Sequence, residues 1–362
     1  MLELSKLLQK HKKKYPLMEI TDAVKLIYQN EFGGGHMISD ANASLAYLEN
    51  EYAGLSASES ADLFENIGNR ILRMNIAAVN KRQLQLLNRL FVLSANSVKG
   101  RMDAFEEKLL TLTQLCENEP ALFSVEALAA YLDTYRERGC PPVSHSATYR
   151  KAYTPAYRIV CEKYAGFWPL LAEIARKLDE SGRVTVAIDG KCGSGKTTLA
   201  SIIGEVFADK GTSTIAMDDF FLPPEKRTPK RYQEPGGNVD YERFYDEVAV
   251  KLASTAAFSY NVFDCSQMMI NGTKTVADIK TAPVRIVEGS YSMRTELRGF
   301  YDIKVFTDID EESQHRRILQ RNGAEMLKRF ICEWIPLENR YFEAFEIRDN
   351  CDFIFEEEQS YE

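Results

Sequence analysis

The chain has 362 residues, 45% of them hydrophobic, and its 53 acidic against 45 basic side chains leave a formal charge of −8. That length suggests two or three domains with ordinary globular cores. The acidic balance lacks the basic footprint that nucleic acid or an anionic membrane requires, so neither is expected as a partner.

From the start of the chain to residue 178 the pattern reads as helix after helix. Leu63, Phe64, Ile67 and Ile71 recur at helical spacing, as do Leu87, Leu90 and Phe91, then Phe105, Leu109 and Leu112. In "SVEALAAYLDTYRERG" Ser124 can cap the start, Val125, Leu128, Leu132 and Tyr135 form the apolar stripe, and Gly139 can end it. "AYRIVCEKYAGFWPLLAEIARKL" reads as a last helix, and no repeat of 20 to 50 residues is visible. The expectation is an all-α domain over 1–178.

Two stretches of this half are richer in chemistry than packing requires. "FGGGHMIS" sets three glycines before His36 and a helix capped by Ser39. "VSHSATYRKAYTPAYR" gathers His145, Arg150 and Arg158 among tyrosines. A glycine loop at a helix start can hold an anion, and arginines can grip one. His36, His145, Arg150 and Arg158 are therefore candidates for a second site, against the simpler reading of a turn and an interface.

After the polar break "DESGR" the pattern changes. "VTVAI", "STIAM", "VRIV" and "IKVF" are short β-rich runs separated by helical or looped segments, as in a buried, mostly parallel sheet. This predicts an α/β P-loop domain over 179–362. Behind the first run, Gly190 to Thr197 read "GKCGSGKT" and fit G-x-x-x-x-G-K-[ST], with the helical "KTTLASIIGEVFA" following. In that setting the loop amides and the helix N-terminus cradle phosphates, the lysine reaches the β- and γ-phosphates, and the hydroxyl meets Mg²⁺. The predicted nucleotide site is Gly190, Gly193, Ser194, Gly195, Lys196, Thr197 and Thr198. A helix of about 13 residues and its return strand cover nearly equal lengths. "STIAMDDFF" therefore brings Asp218 and Asp219 back beside the loop, and "VRIVEGSYS" does the same for Glu288, at the sheet edge where open α/β folds bind ligands. One acid can accept a hydroxyl proton and another can hold a metal. Arg316, Arg317 and Arg321 follow "IKVF" on a predicted helix and can neutralise charge in transfer.

Together these motifs resemble the uridine kinase and phosphoribulokinase group of P-loop kinases, over roughly 183–357. The likeness rests on "GKCGSGKTT", "DDFF", "NVDYERF", "VEGSYS" and "RRIL" in that order. It implies ATP as co-substrate, Mg²⁺, and a small-molecule acceptor. It implies Asp218 as catalytic base, Asp240 on ribose hydroxyls, Tyr260 on the nucleoside side, Glu288 with Thr197 at the metal, and Arg316 and Arg317 in a lid acting with Lys196. Three departures stand out. Cys265 replaces the family's histidine in "YNVFDC", the lid keeps only "RNG", and "FFLPPEKRTPKRYQEPGGN" is long and basic. The run Lys226 to Arg231 suits an anionic acceptor, with Arg231 as a contact. A nucleoside kinase, a kinase for a phosphosugar or pantothenate-like acid, and a nucleotide-responsive regulator all remain open.

The seven cysteines are odd in number and form no C-x-x-C, which predicts reduced thiols in a cytoplasmic protein. The four histidines have no ligand spacing. No run of about 18 apolar residues predicts a membrane span, and the first 20 residues lack the apolar core of a signal peptide. A homo-oligomer is compatible with all of this.

Overall fold

The computed structural model describes residues 2–35, 38, 40–55, 62–119 and 121–356. The chain forms two compact units, Met1–Ala172 and Glu173–Glu362.

The first unit is built on helices α1 (Leu2–Lys14), α2 (Ile20–Phe32), α3 (Ala41–Ala53), α4 (Leu84–Ser97), α5 (Met102–Asn118), α6 (Val125–Glu137) and α7 (Ala147–Tyr153). Its core joins Leu8, Val24 and Ile27 to Phe105, Leu109, Leu112, Leu128, Leu132 and Tyr135. Of the stripe expected for α6, Leu128, Leu132 and Tyr135 are buried and Val125 half-buried, Ser124 accepts from the Ala127 amide, and Gly139 takes the left-handed turn that follows. The unit is not all helix, however. Residues 63–71, expected as a helix, contain β1 (Phe64–Asn66) and the start of β2 (Ile71–Asn75), joined by a turn in which Gly68, Asn69 and Arg70 have positive φ. The predicted last helix opens with β3 (Tyr157–Cys161), antiparallel to β2, before a one-turn helix α8 (Glu162–Ala165) and α9 (Trp168–Ser181). Few apolar positions distinguish a short strand from one helical turn, and here cross-strand pairing decided. The cap of α3 is also corrected: the Asp40 side chain accepts from the Ala43 amide, and Gly33 closes α2, its N–H reaching Gln29 O. His36 and Ser39 lie outside the described residues.

Buried polar groups line one face of this small sheet. Arg73 donates to Gln29 Oε1 at 2.7 and 3.1 Å and to Glu65 at 3.2 Å, with its guanidinium 4.6 Å from the Tyr157 ring centre. His145 stacks on Tyr149 at 4.3 Å, with Nδ1 2.8 Å from Asp22 and Nε2 2.7 Å from the Tyr157 hydroxyl. Burial lowers the His145 pKa to about 4 despite the pull of Asp22, so the contact is a neutral hydrogen bond rather than an ion pair. Nδ1 then donates to Asp22 and Nε2 accepts from Tyr157.

A histidine with its folded pKa below the ordinary 6.5 contributes stability that is complete above 6.5 and is lost as pH falls toward 4. Acidification across that window is expected to remove up to about 3 kcal/mol from this unit. His145→Gln should flatten the slope. Thermal melts at several pH values check this, and an unchanged slope in the variant would place the acid sensitivity elsewhere.

In the second unit β4 (Val184–Gly190), β5 (Thr212–Ala216), β8 (Val284–Glu288), β9 (Ile303–Asp308) and β10 (Phe353–Glu356) make one parallel sheet, ordered β10-β9-β4-β8-β5. Every residue of β4 is buried, as a central parallel strand demands. Between β4 and β5 runs α10 (Lys196–Val206). Beyond β5 come a 3₁₀ turn (Met217–Phe220), α11 (Pro229–Gln233) and α12 (Tyr241–Glu247). An antiparallel hairpin of β6 (Phe258–Asp264) and β7 (Met269–Val276) precedes β8. After β9 lie α13 (Glu311–Asn322), α14 (Ala324–Arg329), a π-turn (Phe330–Trp334) and α15 (Ile335–Ala344). Among the described residues no helix is long and apolar enough to cross a membrane.

Candidate active site

The sheet register brings the predicted groups to one edge. Glu288 pairs across with Ile188 of β4 and Ala216 of β5, so the loop after Gly190 and the turn after Ala216 leave the sheet side by side. Gly190 is required at that exit. It has φ +142°, and a Cβ there would lie 2.1 Å from the Thr307 carbonyl oxygen. Gly195 begins α10 in the left-handed region with no side-chain cap, so the first-turn amides of Lys196, Thr197 and Thr198 face the loop mouth with the helix's positive end. Thr198 is itself exposed. Lys196 Nζ spans the loop, donating to Gly190 O at 2.7 Å and Lys191 O at 2.8 Å. The Ser194 hydroxyl lies 2.6 Å from that of Thr307, and Gly193 O accepts from Arg317 at 2.9 Å.

Thr197 donates to Glu288 Oε2 at 3.2 Å. Burial raises the Glu288 pKa, and Asp218 pushes it the same way. The two aspartates of "DDFF" differ sharply. Asp219 is buried, accepting from the Tyr260 hydroxyl at 3.0 Å and from Lys274 Nζ at 2.8 and 2.9 Å. Asp218 keeps its carboxylate open to solvent within a crowded cleft. That crowding raises its pKa. Lys196 opposes the rise, Asp219 adds to it, and Arg321 and Lys274 oppose it. Among the described residues Arg316 donates to Ser313 on its own helix, at 3.1 Å.

Lys196, Thr197, Asp218, Glu288 and Arg317 are thus at one place, while the three acceptor candidates are engaged by the protein. Asp240 is buried, caps α12 at the Arg243 amide (3.2 Å) and pairs with Lys226 at 2.8 Å. The Tyr260 ring stacks on Phe220 at 5.3 Å while its hydroxyl serves Asp219. Arg231 is held by Glu242, Gly237 O and Val239 O, with Tyr241 under its guanidinium at 4.1 Å. In the first unit the described second-site candidates, His145, Arg150 and Arg158, do not come together. His145 faces Tyr157, whereas Arg158, the next residue along β3, points to the other side of the sheet and pairs with Glu51 at 2.9 Å. Arg150 is exposed.

Two buried acids of the site were not singled out from the sequence. Asp189, one residue before the end of β4, accepts from the Gly190 amide (2.7 Å), the Met293 amide (3.1 Å), the Ser292 hydroxyl (3.2 Å) and the Tyr341 hydroxyl (2.7 Å). Burial raises its pKa to about 6 against those donors. Glu338 on α15 takes the Cys192 amide at 3.0 Å and lies 2.8 Å from the Ser290 hydroxyl. Both tie the phosphate loop to the segment after Glu288, where Tyr291 is held at φ +77°, a strained backbone for a large side chain. The only sequence signal for Asp189 was an acid inside an otherwise apolar strand.

No family model matches the chain. It is 29% identical to a uridine kinase of Clostridium novyi (strain NT) over 144 residues, covering 38% of this chain and 67% of that one. With a uridine kinase of Geobacillus sp. (strain WCH70) the identity is 24% over 176 residues, covering 44% and 80%. A bifunctional alpha-galactosidase/sucrose kinase of Mediterraneibacter gnavus is 25% identical over 182 residues, 45% of this chain and 19% of that protein. A solved structure of a possible uridine kinase from Bacillus stearothermophilus aligns with TM-score 0.43 and 22% identity, over 54% of this chain and 99% of that one. The chain is therefore homologous to uridine kinases over about 40% of its length.

Proposed function

We propose that the protein transfers the γ-phosphate of ATP to a hydroxyl of a small molecule. The observation that supports this best is the pairing of a phosphate loop with one uncommitted carboxylate: Asp219 is neutralised by Lys274 and Tyr260, and Asp218 beside it is open. A nucleotide-responsive regulator has no use for a base in that place. Lys196 and the first-turn amides of α10 hold the phosphates, Arg317 and Arg321 add positive charge from α13, and Asp218 takes the acceptor proton.

Mg²⁺ suits the donors present. Thr197 and Glu288 offer oxygen only, and the mutual repulsion of Glu288 and Asp218 is relieved by a cation. Among the described residues no group of three or more His, Cys, Asp or Glu could hold a metal ion, so phosphate oxygens and water would complete its shell. When bound, it would supply charge neutralisation at the phosphates.

The named activity of the uridine kinase relatives suggests a nucleoside acceptor, and that of the sucrose kinase relative a sugar. Cys265 in place of histidine, with Asp240 and Tyr260 both engaged, weakens the nucleoside choice. We also propose that residues 1–178 and 179–362 act as separate domains in the cytoplasm. ADP release from Mg·ATP, with and without nucleosides, sugars and phosphosugars, tests the activity. The absence of acceptor-stimulated release across the panel would favour the regulator.

A further inference from the structure

The basic excursion between β5 and α12 closes on itself, and its cations have separate fates. Leu222 N donates to Asn238 O at 3.1 Å, Asp240 N to Phe220 O at 2.7 Å, and Phe221 bridges Val239, so the segment is a folded flap with a fixed base. Arg231 is spent inside it and Lys226 neutralises Asp240. Lys230 is exposed on α11. Arg227 differs from all three. It is half-buried, its Nε is anchored to Leu222 O at 2.7 Å, and its guanidinium lies 5.8 Å from the Phe263 ring centre. Among the described residues its two terminal nitrogens have no hydrogen bond or ion pair.

Phe263 stands on β6, two residues before Cys265, and β6 packs on the turn that holds Asp218. Cys265 accordingly feels Asp218 and Arg227 as opposing charges, beneath the larger effect of its own burial. The guanidinium is thus on the hairpin side of the Asp218 cleft, where the histidine of the uridine kinases is missing. An anchored stem, an aromatic neighbour and two uncommitted terminal nitrogens suit a carboxylate or phosphate bound in two parallel hydrogen bonds.

We propose that the acceptor is an oxyanion-bearing alcohol, a phosphorylated sugar or a hydroxy acid, whose anionic group binds Arg227 beside Cys265 while its hydroxyl faces Asp218. This rests on the kinase reading above. In the transfer the hydroxyl proton goes to Asp218, a P–O bond forms to the acceptor oxygen, and the β,γ P–O bond breaks with its electron pair leaving on ADP.

The test uses the full chain with Mg·ATP and matched acceptors: uridine, ribose and fructose; ribose 5-phosphate and fructose 6-phosphate; glycerate and pantothenate. An anionic member should be the best acceptor, and whether it is a phosphate or a carboxylate identifies the source. Arg227→Gln should raise its KM about 10- to 100-fold, the scale for losing a charge-assisted pair. The KM for ATP should stay within about twofold, and Arg227→Lys should recover part of the loss. A neutral best acceptor with a KM indifferent to Arg227→Gln would overturn the proposal. Calorimetry separates its failure from that of the kinase reading. If no acceptor releases ADP, the kinase reading falls, and the same anionic probes are titrated into protein loaded with a non-hydrolysable ATP analogue. Binding at least about tenfold weaker in Arg227→Gln supports the subsite; no binding, or equal binding, removes it.

Discussion

Lys196→Ala is expected to abolish phosphoryl transfer, by about three decades or more, in a protein that still folds. The ammonium spans the loop between the Gly190 and Lys191 carbonyls, at the mouth toward which the first-turn amides of α10 point. The loop's other lysine, Lys191, is engaged by Ile309 O and Asp308 instead, and Arg317 approaches from outside, through the Gly193 carbonyl. Its removal leaves the β- and γ-phosphate charges without their nearest partner, so affinity for Mg·ATP should fall together with turnover. Fold is checked by melting, binding by titration of a non-hydrolysable analogue, and chemistry by ADP release. Wild-type turnover in a folded variant would end the kinase assignment.

Asp218→Asn should behave differently. ATP binding should persist while transfer slows by about two to four decades, the range for loss of a positioned base. The pH profile gives a second readout. A base works when ionised, and crowding raises the Asp218 pKa, so activity should be lost as pH falls through a value above that of an ordinary aspartate. Asp219→Asn should cost stability rather than chemistry, because it removes the charge that pairs with the exposed Lys274 and weakens the bond that satisfies the buried Tyr260 hydroxyl. If Asp219→Asn proved the slower enzyme at equal folding, the two roles would have to be exchanged.

The phosphate-binding edge could be read from the sequence because each part has a strong local signature. A strand, a glycine loop and a helix fix Lys196 and Thr197, and the lengths of α10 and β5 return Asp218 beside them. What could not be read is who already holds each side chain. Asp240, Tyr260 and Arg231 have the right identities for an acceptor pocket, but their partners, Lys226, Asp219 and Glu242, are set by tertiary packing. The choice of Arg227 over Arg231 has the same origin, since both lie in one basic run and only the folded flap tells them apart. In the first unit the β1–β2 hairpin was hidden because Phe64, Ile67 and Ile71 satisfy a helical period as well as they satisfy two short strands. The strand β10 and the β6–β7 hairpin were missed because neither ladder shows until its partner is placed.

The ionisable groups with shifted pKa values in the two units have opposite consequences for calorimetry. In the first unit His145 is held neutral, and Asp22 is held ionised by donors that outweigh its burial, so protons are taken up more readily by the unfolded chain. In the second unit Asp189, Asp218 and Glu288 all have raised pKa values, so there the folded state takes up protons first. By linkage, acidification from pH 7 toward 4 weakens the first unit and strengthens the second, Asp189 alone by about 3 kcal/mol. A heat-capacity scan should therefore contain two endotherms that move in opposite directions as the buffer is acidified. Their separation would measure how independently the two halves unfold.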